Sequence, residues 1–139
     1  MTISQPDTFR RAAITTLGCK VNAYESALIA QKLRQDQWTM VSPKNTADLY
    51  IINSCTVTAE AGRQTRQEIR RAIRRNPAAL VVVAGCYAEM EASACAKIPG
   101  VDLVVGNSEK LSIVEHVRAF DGKVQRTPVE TLSLIHISE

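Results

Sequence analysis

Four short runs of apolar, β-prone residues recur along the chain, and each is followed by a glycine or an asparagine and then by a segment with helical spacing. This alternation is typical of βα units, in which a strand leads into a helix that packs back on the sheet. The pattern predicts strands over residues 13–17, 48–52, 80–84 and 102–105. It predicts helices over residues 22–35, 59–75, 88–97 and 108–120.

Two of the predicted strands are apolar at consecutive rather than alternating positions. These are the run YII before Asn53 and the run LVVVA before Gly85. Such runs suit strands that are covered on both faces, as in a parallel sheet with helices on either side. We therefore expect an α/β domain with an open parallel sheet of four to five strands and flanking helices, in a flavodoxin-like arrangement.

The ends of the predicted helices carry local signals. Thr58 precedes AEAGRQ and Ser108 precedes EKLSIVEH, so each is expected to cap its helix by accepting a backbone N–H. Asn76-Pro77 is expected to end the second helix, because proline disfavours a helical conformation in the residue before it.

The 139 residues are enough for one globular core. We expect an N-terminal tail over residues 1–12, one domain over residues 13–120, and a linker or tail over residues 121–139. The closing LSLIHISE is similar to the translation of a sequencing adapter, so we expect this end to be truncated and partly artefactual. The polar N-terminus lacks the apolar stretch of a secretory signal, and the longest apolar run, residues 78–84, is too short to span a bilayer. A cytoplasmic chain without membrane contact is expected.

Three of the four cysteines follow predicted strands at equivalent places: Cys19 after ITTLG, Cys55 after YIINS and Cys86 after VVVAG. Because the carboxyl ends of parallel strands line the crevice where ligands bind, we expect the three thiols to face one pocket. Thiolates are soft ligands that suit iron–sulfur clusters and zinc. Cys95 lies inside the third predicted helix, and we expect it to pack rather than to bind metal.

Other interpretations of the cysteines stay open on their spacing alone. Free cysteines are often simply buried small residues. A zinc site needs a fourth ligand, and neither His116 nor His136 lies in a strand-end loop. A cysteine nucleophile is less favoured, since no His or Asp accompanies any cysteine in an activating pattern.

The sequence motifs around the cysteines are TLGCKVNAYES at Cys19, NSCTVTAEAGRQTRQEIRR at Cys55 and VVVAGCYAEM at Cys86. In this order, and followed by VDLVVGNSEK, they resemble the N-terminal domain of the radical-SAM methylthiotransferases, which act on tRNA or on a ribosomal protein. LGCKVN together with YES is most similar to the branch that methylthiolates N6-threonylcarbamoyladenosine in tRNA.

The resemblance implies that Cys19, Cys55 and Cys86 bind an auxiliary [4Fe–4S] cluster in an enzyme that adds a methylthio group to C2 of N6-threonylcarbamoyladenosine next to the anticodon. It implies a second [4Fe–4S] cluster and S-adenosylmethionine in a domain with a CxxxCxxC motif. This sequence lacks that motif and the family's C-terminal RNA-binding segment, so we expect it to be catalytically incomplete. Asn22 and Asn53 match family positions near the first two ligands, and we expect them to orient those ligands.

A basic stripe is predicted on the second helix, where arginines recur at spacings of three and four. Its members are Arg63, Arg66, Arg70 and Arg74, and they lie opposite a packed face of Ala61, Thr65, Ile69, Ala72 and Ile73. Residues 1–75 also carry twice as many basic as acidic side chains. The stripe is expected either to contact tRNA phosphates or to be an ordinary solvated helix face.

A second class of function stays open beside the transferase. The chain would then be a non-catalytic module that binds an iron–sulfur cluster or zinc. This alternative is favoured if the gene ends at Glu139.

Overall fold

The computed structural model describes residues 10–18, 20–55 and 58–121, which form one sheet of five parallel strands in the order β2-β1-β3-β4-β5. The strands are β1 (Arg11–Thr16), β2 (Thr39–Met40), β3 (Leu49–Ser54), β4 (Leu80–Gly85) and β5 (Leu103–Val105). The helices are α1 (Lys20–Gln35), α2 (Ala59–Arg75), α3 (Cys86–Met90), α4 (Ala92–Ala96) and α5 (Ile113–Asp121), with a 3-10 helix, Asn107–Ser112, before α5. The predicted fold class is confirmed, since this strand order is the flavodoxin-like one.

The sheet is covered by helices on both faces, as the consecutive apolar runs predicted. β3 is buried at every position. One face packs against α2, α3 and α4, and its core contains Tyr50, Ile52, Ile69, Val81, Val83 and Cys95. The other face packs against α1 and α5, and its core contains Ile29, Leu33, Leu49, Ile51, Val82 and Val117.

β2 was not among the predicted strands. It pairs through two residues only, with Arg11 opposite Thr39 and Ala12 opposite Met40. Two residues are too few to show a hydrophobic period, which is why the pattern does not reveal this edge strand.

Two of the predicted helices differ from the observed ones. The helix predicted over residues 88–97 begins earlier, at Cys86, and is divided at Glu91, whose backbone leaves the helical region (φ −120°, ψ 43°). The helix predicted from Ser108 starts instead as the 3-10 helix, which has Gly106 at its N-cap and no side-chain cap. The expectation that Ser108 caps this helix is therefore wrong, because the helix begins before that residue.

The other helix signals are confirmed. The Thr58 hydroxyl accepts a hydrogen bond from the Ala61 N–H at 3.1 Å, and Asn76 is the C-cap of α2. β1 begins at Arg11, two residues before the predicted start and inside the segment interpreted as a tail.

Several predictions fall on residues outside the described ranges. These residues are Cys19, His136, positions 1–9 of the expected tail and positions 122–139 of the expected linker. Among the helices of the described ranges, none combines the length and the apolar character needed to cross a membrane.

Candidate metal centre at the carboxyl edge of the sheet

Cys55 and Cys86 leave neighbouring strands at the same level of the sheet. Ser54, the last residue of β3, is in register with Gly85, the last residue of β4. Cys55 and Cys86 are the next residues on the two strands, so their backbones leave the sheet side by side. Both are free thiols with partly exposed side chains, and Cys86 is the first residue of α3.

Gly18 brings the end of β1 against the same cysteine. It has a φ of +97°, and a Cβ at this position would overlap Cys55 Sγ and lie 2.5 Å from Cys55 Cβ. Only glycine combines this backbone conformation with so close an approach. The residue that follows Gly18 is Cys19, so the segment leading into the first predicted ligand touches the second one.

The ends of β3 and β4 are similarly close. Gly85 has a φ of +99°, and a Cβ there would overlap the Ser54 carbonyl oxygen. The Ser54 hydroxyl donates to the Ala84 carbonyl at 2.6 Å and accepts the Tyr87 N–H at 3.2 Å. The Ser54 side chain at the end of β3 thus caps α3, the helix that follows β4. This cap allows α3 to begin at Cys86 without a loop.

Asn22 ties together the backbones that precede Cys19 and Cys55. Its side-chain amide donates to the carbonyl of Leu17 and to that of Ser54, both at 2.8 Å. Asn22 lies in the first turn of α1 and is buried. This placement agrees with the expected orienting role, which stays a prediction.

Asn53 holds the start of α1 against the sheet. Its amide nitrogen donates to the Asn22 carbonyl at 3.1 Å and to Ser26 Oγ at 2.9 Å. Its Oδ1 is buried and has no hydrogen-bond partner in the described structure. The Asn53 carbonyl also accepts the Leu17 N–H at 3.0 Å, so Asn53 contacts both the end of β1 and the first turn of α1.

Sequence reasoning missed two residues of this network, Ser54 and Lys110. The Lys110 ammonium donates to Glu25 Oε1 at 2.6 Å and to Asn22 Oδ1 at 3.3 Å. Both belong to the motifs that resemble the family, NSC and NSEK, but neither is a usual metal ligand. Their roles depend on contacts between distant segments, which no local pattern records.

Cys95 is separate from this edge of the sheet. It is fully buried in the core beside α2. Loss of solvation raises the pKa of its thiol to about 12, with a smaller contribution from Glu91 in the same direction and an opposing one from Arg66. The burial of Cys95 in the core agrees with the expected packing role.

The arginine stripe is uneven. Arg63 pairs with Glu60 at 2.6 Å, and Arg66 donates at 2.9 Å to the hydroxyl of Tyr87, the residue after Cys86. Arg70 and Arg74 are exposed, and no ion pair joins them to another described residue. The opposite face is buried at Thr65, Ile69 and Ala72, as predicted, and also at Gly62.

The donor chemistry of this edge fits a thiolate-ligated metal. In residues 10–18, 20–55 and 58–121, no three Cys, His, Asp or Glu side chains gather as a ligand set. Within these ranges, no carboxylate or imidazole therefore joins Cys55 and Cys86 in a set of metal ligands. The chain leading to Cys19 lies against Cys55. His116 is 3.3 Å from Glu109, with which it pairs. Thiolates are soft ligands that suit both iron–sulfur clusters and zinc.

Residues 11–106 of the chain match the family described as "Uncharacterized protein family UPF0004", and the chain belongs to this family. The match covers all five strands and reaches from the first residue of β1 to the residue after β5.

Curated relatives of the chain carry a more specific name. The threonylcarbamoyladenosine tRNA methylthiotransferase MtaB of Bacillus subtilis is 40% identical over 123 residues, which are 88% of this chain and 27% of that protein. The proteins of the same name from Aquifex aeolicus and Thermotoga maritima are 44% and 38% identical over 76% and 81% of this chain, and 26% and 25% of their own lengths. The chain thus spans about a quarter of the length of these relatives.

Proposed function

We propose that this chain is the auxiliary [4Fe–4S] domain of a tRNA methylthiotransferase, with Cys19, Cys55 and Cys86 as the three protein ligands. The observation that carries the proposal is the convergence of three strand ends. Cys55 and Cys86 leave adjacent strands at one level, and Gly18 packs on Cys55 immediately before Cys19. Three relatives that match most of the chain are named as threonylcarbamoyladenosine tRNA methylthiotransferases, which supports the same assignment.

The chain's own residues hold and shape the centre. The three thiolates bind metal, while Gly18 and Gly85 permit the close approach of the strand ends. Asn22 and Asn53 orient the segments that carry Cys19 and Cys55. When bound, a cluster with three thiolate ligands supplies one iron that has no protein ligand and accepts an exogenous one, which we assign to the sulfur that is transferred.

The remaining chemistry is assigned to a further domain of a longer protein, with a second [4Fe–4S] cluster and S-adenosylmethionine. The reaction proposed for that protein adds a methylthio group to C2 of N6-threonylcarbamoyladenosine beside the tRNA anticodon. A cytoplasmic setting suits this substrate and the free thiols of Cys55, Cys86 and Cys95. We assign residues 13–120 to the domain itself, extended at its start to Arg11 because β1 begins there.

We also assign tRNA phosphate binding to the arginine stripe of α2. Arg70 and Arg74 are exposed and, unlike Arg63 and Arg66, have no side-chain partner among the described residues, so they provide its principal contacts. Arg63 forms an ion pair with Glu60, and Arg66 donates a hydrogen bond to the Tyr87 hydroxyl, so both contribute less to phosphate binding.

The test of the metal centre is anaerobic reconstitution of the full 139-residue chain, followed by iron and sulfide analysis and EPR. We expect about four irons per chain in the wild type and in Cys95→Ala. Cys19→Ala, Cys55→Ala and Cys86→Ala should each lose most of this iron. Zinc binding in place of iron would favour the non-catalytic module, and equal iron content in all four variants would refute the three-cysteine site.

The substrate assignment needs a separate measurement in cells. Replacing the native gene by one that encodes Cys55→Ala should abolish 2-methylthio-N6-threonylcarbamoyladenosine in nucleoside digests of tRNA, as measured by mass spectrometry. Loss of a methylthiolated isopentenyladenosine instead would keep the cluster domain and overturn the substrate.

A further inference from the structure

Lys110 is a buried cation, and the three proposed cysteine ligands do not explain why it is buried. It lies in the 3-10 helix, its side chain is 2% exposed, and its Nζ is 2.6 Å from Glu25 Oε1 on α1. Lysine is almost never fully buried unless it is paired, because an ammonium group loses much solvation on burial. The cost of burying it indicates that the position of this charge matters to the structure.

The second contact of Lys110 leads toward the cysteines. Its ammonium also donates to Asn22 Oδ1, at 3.3 Å, and the Asn22 amide nitrogen donates to the carbonyls of Leu17 and Ser54. Because an ammonium group donates but never accepts, it fixes which end of the Asn22 amide faces it. The amide nitrogen is thereby turned toward the two carbonyls.

We propose that Lys110 is a positioning residue of the metal centre, which acts through Asn22 to hold the segments before Cys19 and Cys55 in the arrangement that three thiolates need. This inference rests on the proposed function of the chain as a cluster-binding domain. Glu25 holds the ammonium from α1, and Asn22 relays its position to the ends of β1 and β3.

A simpler account is that the Lys110–Glu25 pair only fastens the 3-10 helix to α1. The two accounts differ in whether Lys110 and Asn22 act together. If Lys110 works through Asn22, removing both side chains affects the centre no more than removing Asn22 alone. If the ion pair is only a fastening, the two effects add.

The experiment uses the full 139-residue chain, reconstituted anaerobically with iron and sulfide. Variants Lys110→Met, Asn22→Ala and the double variant are compared with Lys97→Met, which removes an exposed lysine. The measurements are the rate of iron release to a chelator and the EPR spectrum of the reduced cluster. Far-UV circular dichroism and the thermal midpoint of the metal-free chain report folding.

We expect Lys110→Met and Asn22→Ala to release iron about 10-fold faster than the wild type, a usual effect of removing a group that supports a metal ligand. Both should also change the EPR spectrum, while the double variant should match Asn22→Ala and Lys97→Met should match the wild type. Additive effects, or wild-type release from a folded Lys110→Met, overturn the inference and leave the proposed function intact.

The remaining outcomes are also decisive. A wild-type chain that binds no iron overturns the proposed function and this inference together. If Lys110→Met does not fold, Asn22→Ala is the variant that tests the inference, because it leaves the Lys110–Glu25 pair in place. Iron release at the wild-type rate from Asn22→Ala then overturns the inference.

Discussion

The backbone of Gly18 lies directly against the side chain of Cys55, so that a Cβ on Gly18 would overlap Cys55 Sγ. This contact joins the ends of β1 and β3 at the edge where β4 also ends. The Cys55 thiol can therefore keep its position only if the segment after β1 keeps the conformation that it has at Gly18.

Gly18→Ala should therefore destabilise the chain and weaken metal binding. The substitution meets both a φ of +97° and the Cys55 side chain, so we expect the free energy of unfolding to fall by about 1–3 kcal/mol. Urea unfolding of the metal-free chain measures the first effect, and iron content after reconstitution measures the second.

The matched control for Gly18 is Gly106→Ala. Gly106 has a φ of −70°, and the nearest atom to a new Cβ is the side-chain atom Glu89 Oε1, at 3.3 Å, which accepts the Asn107 N–H. Its unfolding free energy should change by less than about 1 kcal/mol. Equal behaviour of the two variants would show that the Gly18–Cys55 contact carries no special constraint.

Cys95 should make stability depend on pH in the alkaline range. Its pKa rises from 9.0 to about 12 on folding, so the folded chain keeps a proton that the unfolded chain loses. The contribution is fully present below pH 9.0 and is lost as the pH rises toward 12, with a slope of about 1.4 kcal/mol per pH unit at most.

The measurement for Cys95 is urea unfolding of the metal-free wild type and Cys95→Ala at about pH 8 and about pH 10, on either side of the thiol's ordinary pKa. The wild type should lose more stability than the variant between these two values. Identical losses in both proteins would mean that the Cys95 thiol is not shielded from solvent as its burial indicates.

Removing the two arginines of the α2 stripe that have no side-chain partner among the described residues should weaken tRNA binding. Arg70→Gln with Arg74→Gln removes cations that have no ion-pair partner in the described structure. We expect the slope of log affinity against log salt to decrease by about 0.7 to 0.9 for each phosphate that is no longer neutralised. Fluorescence anisotropy with labelled tRNA, over a series of salt concentrations, measures this slope.

The control for charge is the double variant Lys97→Gln with Arg34→Gln, at two positions that also have no ion-pair partner among the described residues. It removes the same net charge from exposed positions outside α2. If both double variants bind tRNA equally well, the stripe on α2 is a solvated helix face and does not bind tRNA.

Loss of the Thr58 cap should destabilise α2, the helix that carries the stripe. The Thr58 hydroxyl accepts the Ala61 N–H at 3.1 Å, and replacing such a cap by alanine costs about 1 kcal/mol. Urea unfolding of Thr58→Ala measures the loss. Ser93→Ala, at an exposed position of α4, should stay within about 0.5 kcal/mol of the wild type, and a similar cost there would deny Thr58 a specific role.

Local signals in the sequence were sufficient to predict the class of fold and the ends of α2. Runs such as YII and LVVVA report burial on both faces, because a strand covered on one face alternates instead. Thr58 and Asn76 mark the ends of α2 through contacts with near neighbours. The βα alternation also placed Cys55 and Cys86 after strands that end at one level of the sheet. Each of these signals can be recognised without knowing how distant segments pack.

The side chains that support the candidate site, by contrast, could be identified only in the folded chain. The Lys110–Glu25 pair joins residues 85 positions apart, and the approach of Gly18 to Cys55 depends on how β1 pairs with β3. The division of the predicted third helix at Glu91 and the two-residue strand β2 were likewise absent from the pattern. Strand register and helix packing set these contacts, and they arise from the burial of the whole core rather than from any single segment.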